Sequence, residues 1–348
     1  MKKISLLLIG FILIFSVISM GVTKYIYDHQ FPRHDRYDET VSAKLRYSDL
    51  SSDYPRQVVS FKSGKNMLRG YLYGDDNAKG LIVVAHGLGG GADSYLAQIK
   101  TFVDRGWRVF AYDTTGSFDS EGKSTKGFPQ AILDLNAALA YVDTAEDIKE
   151  LPLVLFGHSW GGYAVANALH FDHDIKGVVS VSGANRAMDM IMEQGEKMMG
   201  PFINIQYPFL WSYQRLLFGD VATLNAVTAI NKSTIPVLIV HGTEDDMVGY
   251  SKSSIISHAN ALKNPNAETY TISEIGRNGH NDLFKSSRAV EYIDQINVEY
   301  RALYDSYEEK IPYETNQDFY AKLDRFLVEE LDEALMEKIN TFYLKCIN

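Results

Sequence analysis

The sequence predicts an α/β fold: a mostly parallel, doubly wound sheet that carries a helical cap insertion and follows an N-terminal transmembrane helix. Five short apolar runs are bounded by Gly, Pro or polar residues, as strands buried on both faces of a parallel sheet are. Helical patterns lie between these runs, and strand–helix alternation with right-handed crossovers produces a doubly wound layer. The chain also begins with a long apolar segment that contains no charge.

This first segment covers residues 4–23. As a helix its twenty residues would span about 30 Å, the thickness of the hydrocarbon core of a bilayer. A cleaved signal peptide has a shorter apolar region and a small-x-small cleavage site, which Ser19-Met20-Gly21 matches poorly. No cysteine follows to carry a lipid. We therefore predict a membrane anchor over residues 1–24 in preference to a signal peptide, whose cleavage would leave a secreted protein.

The number of positive charges on each side of the segment does not fix its orientation, because the amino terminus, Lys2 and Lys3 are balanced by Lys24, Arg33 and Arg36. A very short N-terminal tail usually stays inside the cell. We therefore expect a single-pass protein of the cell membrane, with its large C-terminal portion outside the cytoplasm.

The polar residues 25–56, of mixed charge, are predicted to form a juxtamembrane linker with one short helix, and residues 57–348 one folded domain. Alternating apolar and polar residues predict an antiparallel edge pair over 57–64 and 67–75. Further strands are predicted over 80–87, 107–113, 151–158, 177–183, 235–242 and 268–274, with helices over 92–105, 127–144, 160–171, 251–263 and about 321–345. Residues 184–234 are predicted to be a cap, and 286–320 an extension of unassigned role.

Composition excludes several classes of function. With 34 basic and 44 acidic residues the net charge is −10, and no Lys/Arg block offers a surface for nucleic acid. Cys346 is the only cysteine, which excludes an internal disulfide and a cysteine-based metal or redox centre within one chain. The expected partners are a small-molecule substrate and the membrane. The sequence does not indicate an oligomeric state.

The pattern G-x-S-x-G occurs at Gly157–Gly161, directly after one predicted strand and directly before a helix. Such a turn forces its serine into a strained backbone conformation and exposes the hydroxyl above the sheet. Ser159 is therefore the candidate nucleophile. The alternative is a Gly-rich turn in which the serine only caps the helix.

A carboxylate just beyond a strand can hold the tautomer of a histidine. Such carboxylates follow the strand over 235–242, where Asp245 is our choice, Asp246 is the second candidate and Glu244 is expected to be solvated. An acidic turn that caps the next helix is the alternative, and it suits Asp246 better than Asp245.

His280 is the candidate base among nine histidines, because it alone lies in a Gly-flanked loop downstream of both Ser159 and Asp245. The others lie in the linker, near helix surfaces or at strand ends.

The run His86–Gly91 (HGLGGG) follows another predicted strand. Fixed backbone donors at such a position would stabilise a developing oxyanion by about 3–4 kcal/mol each. The amides of Leu88 and Trp160 are the candidates. The alternative, a phosphate-binding turn, is disfavoured because the run lacks G-x-G-x-x-G spacing and no Lys-Ser/Thr pair follows.

In this order HGLGGG, YDTTGSFDSEG, GHSWGG, HGTEDDMV and GHND resemble the α/β-hydrolases of the serine aminopeptidase, monoacylglycerol lipase and lysophospholipase group. The resemblance covers roughly residues 57–285. It implies the α/β-hydrolase fold, with Ser159 as nucleophile, Asp245 as acid, His280 as base and the two oxyanion donors above. It says little about substrate, since the group includes esterases, lipases, peptidases and thioesterases.

The predicted cap is rich in Met and aromatic residues, which make an adaptable apolar surface. This composition indicates either an acyl-chain pocket or only the core of the cap itself. We expect a serine hydrolase that cleaves a carboxylic ester through an acyl-enzyme, with no metal or organic cofactor. A peptidase, amidase or acyltransferase is the alternative, and an inactive binding protein with this fold is a remote one. The Met and aromatic residues of the predicted cap are Met188, Met190, Met192, Met198, Met199, Phe202, Tyr207, Phe209, Trp211, Tyr213 and Phe218.

Overall fold

The computed structural model describes residues 2–308 and 310–348. Met1, in the predicted anchor, and Glu309, in the predicted extension, lie outside the described residues. An eight-stranded sheet has the order β1-β2-β4-β3-β5-β6-β7-β8, and β2 alone runs against the others. The strands are β1 (Arg56–Ser63), β2 (Asn66–Tyr73), β3 (Leu81–Ala85), β4 (Arg108–Tyr112), β5 (Leu153–His158), β6 (Ile175–Val181), β7 (Val237–Gly242) and β8 (Ala267–Ile272). The mostly parallel sheet and its antiparallel edge pair confirm the prediction.

Helices cover both faces of this sheet, because its central strands are mainly apolar and almost entirely buried. In β3, Leu81 and Val83 face one core, whereas Ile82 and Val84 face the other. The first core includes α3 and α4, and the second includes α2 and α11. The helices are α1 (Lys2–Gln30), α2 (Leu96–Asp104), α3 (Gln130–Val142), α4 (Trp160–Asn167), α5 (Ala187–Met199), α6 (Ile203–Phe218), α7 (Ala226–Lys232), α8 (Ser287–Ser306), α9 (Tyr313–Ala321), α10 (Arg325–Val328) and α11 (Glu333–Ile347).

The segments outside the sheet layers differ in how well they match their predictions. Residues 184–234 contain α5, α6 and α7, which form the insertion between β6 and β7. The helix predicted over 251–263 is only a 3₁₀ turn, Ile256–Ala261. The extension over 286–320 is helical and forms α8 and α9.

The N-terminal helix α1 extends seven residues beyond the predicted segment, to Gln30. It is long and apolar enough to cross a membrane, and its first half is exposed to solvent. Ser19, Thr23 and Tyr27 recur every four residues, are buried, and lie on the face that contacts α6. The helix is therefore in part a component of the folded domain.

The predicted linker also packs against the domain. Phe31, Leu45 and Leu50 are buried, and His34 forms a β-bridge with Ser117. The sequence predicts only a juxtamembrane linker with one short helix here, because these apolar residues are separated by charged ones with no helical or strand period. Long-range contacts fix the path of this segment.

Candidate active site

Ser159 lies at the sharp turn between β5 and α4, with φ 58° and ψ −115°. A Cβ added at Gly157 would come within 2.2 Å of the Gly161 carbonyl oxygen. A Cβ added at Gly161 would come within 1.9 Å of the Ala85 carbonyl oxygen. Glycine is therefore sterically required at both positions, and this packing holds Ser159 in a left-handed conformation that a serine rarely adopts.

The structure brings Asp245 and His280 together. His280 Nδ1 lies 2.9 Å from Asp245 Oδ1 and 2.8 Å from Oδ2. The backbone amides of Met247 and Val248 donate to the same carboxylate at 3.0 and 2.8 Å. Asp246, the second candidate, has an exposed side chain. Of the acidic candidates, Asp245 is thus the carboxylate placed to orient His280.

His241 is a neighbour of Asp245 that sequence reasoning treated only as a strand end. Its Nε2 lies 2.8 Å from the Val248 carbonyl oxygen and 3.2 Å from Asp245 Oδ2. Since a carbonyl can only accept, Nε2 carries the proton and donates to both. Burial raises the pKa of Asp245, but the hydrogen bonds from His241 and His280 outweigh burial and hold this pKa well below its usual range. The carboxylate therefore stays ionised. The position of His241 four residues before Asp245 was the only available signal.

The loop after β3 lies against the serine. A Cβ added at Gly87 would lie 3.4 Å from Ser159 Cβ, so Gly87, the residue before Leu88, lies close beside Ser159. In the described part of the chain, the Leu88 and Trp160 amides donate to no other group. The Trp160 amide is free because it opens α4, where the first amides have no partner inside the helix. Both predicted oxyanion donors thus lie beside Ser159 with free N–H groups.

A second buried histidine links these loops. The Gly87 amide donates to Tyr95 Oη at 3.0 Å, and Tyr95 Oη lies 2.8 Å from His158 Nδ1. His158 Nε2 lies 2.9 Å from the His280 carbonyl oxygen and must donate to it, which leaves Nδ1 to accept from Tyr95. Burial lowers the pKa of His158 to about 3, so this ring is neutral. Tyr95 and His158 therefore join the oxyanion loop to the loop that carries His280.

These side chains open into one cavity of about 830 Å³, a size typical of small-molecule sites. Ser159 and His280 both line it, together with Leu88 and Trp160. Among residues 2–308 and 310–348, no partner lies within hydrogen-bond distance of the Ser159 hydroxyl, so no bond to His280 Nε2 is formed. Such bonds are often long in the absence of substrate. Much of the apolar lining comes from the cap and α1, and includes Ile26, Tyr27, Met190, Met199, Ile203 and Leu210.

Three charged residues also line the cavity, which sequence reasoning did not anticipate. Glu329 is the one acidic lining residue in the described ranges, and Lys285 Nζ pairs with it at 2.6 Å. Lys44, from the predicted linker, is the third. Within the same ranges, His, Cys, Asp and Glu side chains do not form a group of three or more that could hold a metal ion.

The sheet order, the strained serine between β5 and α4, and the Asp–His pair that follows β7 are features of the α/β-hydrolase fold. The chain has this fold, and part of it is similar to a hydrolase family. A family model described as "Serine aminopeptidase, S33" matches residues 76–223. This match covers the oxyanion loop and the serine, and ends before Asp245.

Among curated proteins, the chain is 31% identical over 156 residues to the quorum-quenching protein AidA of Acinetobacter baumannii, a match over 41% of this chain and 50% of AidA. It is 26% identical over 178 residues to the uncharacterized protein YfhR of Escherichia coli, a match over 51% of this chain and 57% of YfhR. The chain thus spans little more than half the length of these relatives.

Two esterase structures show the same fold at low sequence identity. The esterase Pf2001 of Pyrococcus furiosus superposes with a TM-score of 0.54 at 18% identity, over 78% of this chain and 95% of its own. Est1E of Butyrivibrio proteoclasticus, with ferulic acid bound, superposes with a TM-score of 0.51 at 21% identity, over 70% of this chain and 98% of its own.

Proposed function

We propose that this chain is a membrane-anchored serine hydrolase that cleaves carboxylic esters with an apolar acyl group. The observation that carries the proposal is the hydrogen bond from His280 to an ionised Asp245, with His280 and Ser159 lining one cavity. A Ser-His-Asp triad requires this Asp–His contact and a serine on the other side of the histidine, whose bond to the histidine often tightens only when substrate binds.

In the proposed reaction, His280 Nε2 removes the proton of Ser159 as Oγ attacks the ester carbonyl carbon. Asp245 keeps the His280 Nδ1 proton in place and stabilises the imidazolium that forms. The amides of Leu88 and Trp160 donate to the oxygen that becomes negative. The alcohol leaves with the proton from His280, and water then releases the acid from Ser159 through the same base.

The lining favours an ester over a peptide. An unpaired carboxylate in the cavity would favour a free peptide amine, but Glu329, the one acidic lining residue that the structure describes, is already paired with Lys285. The cap and α1 instead supply an apolar wall that suits an acyl chain. Amide hydrolysis or acyl transfer by the same triad is the second candidate, favoured by the match to the serine aminopeptidase family.

A fluorophosphonate probe tests the nucleophile directly. The full chain should be labelled, and S159A should not be labelled. Ser94 is a second serine that lines the same cavity, so S94A is the matched control and should retain the label. Labelling of S159A at the wild-type rate would contradict the assignment.

A substrate panel tests the bond that is cleaved. We expect hydrolysis of p-nitrophenyl esters, with a preference for medium or long acyl chains over acetate, and little hydrolysis of aminoacyl-p-nitroanilides. Faster cleavage of the anilides would establish the amidase alternative.

The anchor is tested on the native protein. Insertion of a twenty-residue apolar helix into lipid is effectively irreversible, so the protein should stay with membranes after high salt and carbonate washing. A mature N-terminus near Val22, found by mass spectrometry together with activity in the culture fluid, would show a cleaved signal peptide.

A further inference from the structure

The first half of α1 is too short to span a bilayer unaided. Residues 4–14 precede Phe15, whose ring contacts the cap, and measure about 16 Å along the helix axis, whereas the hydrocarbon core of a bilayer is about 30 Å thick. The remaining span has to come from the part of α1 that packs against the cap, roughly Phe15 to Thr23. If α1 crosses the membrane, the cap residues that contact this part lie at the depth of the lipid.

The contacts identify α6 as the element concerned. The ring of Phe209 packs edge-on against Phe15 with centroids 6.0 Å apart, in the middle of the apolar segment. Thr23 Oγ1 donates to Gln206 Oε1 at 3.4 Å. The two helices are thus joined by a hydrogen bond between polar side chains, as helix pairs within lipid often are.

The composition of α6 suits this location. From Met198 to Gln214 the chain contains no charged residue. The Ser212 hydroxyl donates to the Pro208 carbonyl oxygen at 2.6 Å, and Asn204 donates to the Pro201 carbonyl oxygen at 3.1 Å. Polar groups that are satisfied within their own segment are what a lipid environment requires.

Apolar and aromatic side chains on the outer side of this segment are exposed. Phe202 is 69% exposed and Ile205 is 52% exposed, and Tyr207 and Trp211 are each 43% exposed. Tyr and Trp are enriched where protein meets the lipid headgroups. We name Phe202, Ile205, Tyr207 and Trp211 the cap face.

The cavity lies directly behind the cap face. Ile203 and Leu210 of α6 line it from the inner side of the same helix, and Ile26 and Tyr27 of α1 line it beside them. Met198 lines the cavity as well and is 61% exposed, so it lies at an opening of the cavity, four residues before Phe202 in the chain. An acyl chain that leaves the bilayer along α1 would reach the cavity wall without crossing water.

We propose that the cap face is embedded in the lipid beside α1, and that the enzyme takes an acyl lipid ester from the bilayer into its cavity. The inference rests on the proposed function, which it deepens by naming the substrate class. It assigns α1 two roles: it anchors the chain, and it holds the cavity against the membrane in one orientation.

Tryptophan fluorescence tests the embedding without any catalysis. Trp211 is exposed, whereas Trp107 and Trp160 are 0% and 1% exposed, so Trp211 alone can meet a quencher in the lipid. The full chain is reconstituted into phosphatidylcholine vesicles, either plain or brominated near the top of the acyl chain. We expect bromination to quench the wild-type emission clearly and the emission of W211F hardly at all. Equal wild-type emission in both vesicles would overturn the proposal.

Activity tests the route of the substrate. F202D and I205D place a charge on the cap face, outside the cavity, and V298D places one on an exposed apolar residue of α8. A charged side chain is strongly disfavoured within lipid, so F202D and I205D should lose roughly tenfold or more in turnover of a decanoyl ester held in vesicles. Water-soluble p-nitrophenyl acetate should be hydrolysed at the wild-type rate by all three variants. Equal losses on both esters, or no loss, would overturn the proposal.

The two tests separate this inference from the proposed function. A wild-type chain that hydrolyses neither ester overturns the proposed function and with it the lipid substrate. Quenching of Trp211 would then still establish that the cap face lies in the membrane. A wild-type chain that hydrolyses acetate but leaves the vesicle-held ester intact would overturn the lipid route and leave the esterase proposal standing.

Discussion

The two sides of the cavity are built in different ways. On one side, short loops at the ends of β3, β5 and β7 carry Ser159, Asp245 and the oxyanion amides, and backbone packing fixes them: a Cβ at Gly161 would lie 1.9 Å from the Ala85 carbonyl oxygen. On the other side, α1 and α6 contribute apolar side chains through contacts between residues far apart in sequence, such as Tyr27 and Tyr213, whose ring centroids are 5.3 Å apart.

This difference separates the chemistry from the choice of substrate. The loop side permits few substitutions, because its glycines and its carboxylate meet strict geometric requirements. The helix side needs only apolar volume of roughly the right shape, which many sequences supply. Substitutions on the loop side should therefore affect turnover of every substrate, and substitutions on the helix side should affect long acyl chains selectively.

The largest expected effect comes from S159A. Removal of the nucleophile should lower ester turnover at least about a thousandfold for acetate and decanoate alike, because loss of a triad member removes the covalent route. The thermal unfolding midpoint should stay close to that of the wild type, since Ala fits the space of Ser. Turnover within tenfold of the wild type on either ester would contradict the loop-side assignment.

D245N and D246N compare two adjacent carboxylates. D245N should lose roughly a hundredfold or more in turnover, because an amide there no longer holds the His280 tautomer and orientation. D246N should retain almost full turnover, since the Asp246 side chain is exposed. The p-nitrophenyl acetate assay measures both, and the reverse ranking would move the acid to Asp246.

The loop side could be located from the sequence because its constraints are local. A glycine two residues before and after Ser159 indicates a tight turn, and strand ends can be recognised from apolar runs of five or six residues. The hydrogen bonds of His158 and His241 were missed, since a histidine at a strand end has the same appearance in sequence whether or not it contacts another loop.

The helix side could not be predicted in the same way. Residues 4–23 indicate a membrane helix by their composition alone, and nothing local shows that Tyr27 lines a cavity or that Lys44 reaches it. These positions depend on the docking of α1 against α6 and on the path of residues 31–56 along the domain. Both are set by the packing of distant side chains.

H158Q tests the link between the loops through its dependence on pH. Burial lowers the folded pKa of His158 to about 3, while the unfolded chain binds a proton near pH 6.5. The stability contribution of His158 is therefore complete above about pH 6.5 and is lost as the pH falls towards 3. Lowering the pH from 8 to 5 should therefore reduce the free energy of unfolding of the wild type by about 2 kcal/mol through His158.

Gln keeps a donor and an acceptor but does not titrate. Between pH 8 and pH 5 the free energy of unfolding of H158Q should therefore fall by about 2 kcal/mol less than that of the wild type. Denaturant unfolding at both pH values measures the difference. His86, whose pKa burial lowers to about 4, and Asp113, whose pKa burial raises to about 6, titrate in both proteins and cancel in the comparison. An equal fall in the free energy of unfolding of the two proteins would show that His158 is not held neutral.

Tyr27 gives the smallest and most selective effect, on the helix side. Its ring is 2% exposed, packs against Phe31 and Tyr213, and lines the cavity, while its hydroxyl has no hydrogen-bond partner among the described residues. Y27A should raise the KM for a decanoyl ester roughly fivefold, because the lost aromatic surface is worth about 1 kcal/mol or more to a bound chain. The KM for acetate should stay unchanged, since a two-carbon acyl group does not reach this wall. Y27F is the matched control and should behave as the wild type with both esters, because it removes only an unpaired hydroxyl. If Y27A instead weakened acetate and decanoate equally, Tyr27 would act through the triad, and the division between a loop side that sets chemistry and a helix side that selects the chain would be wrong.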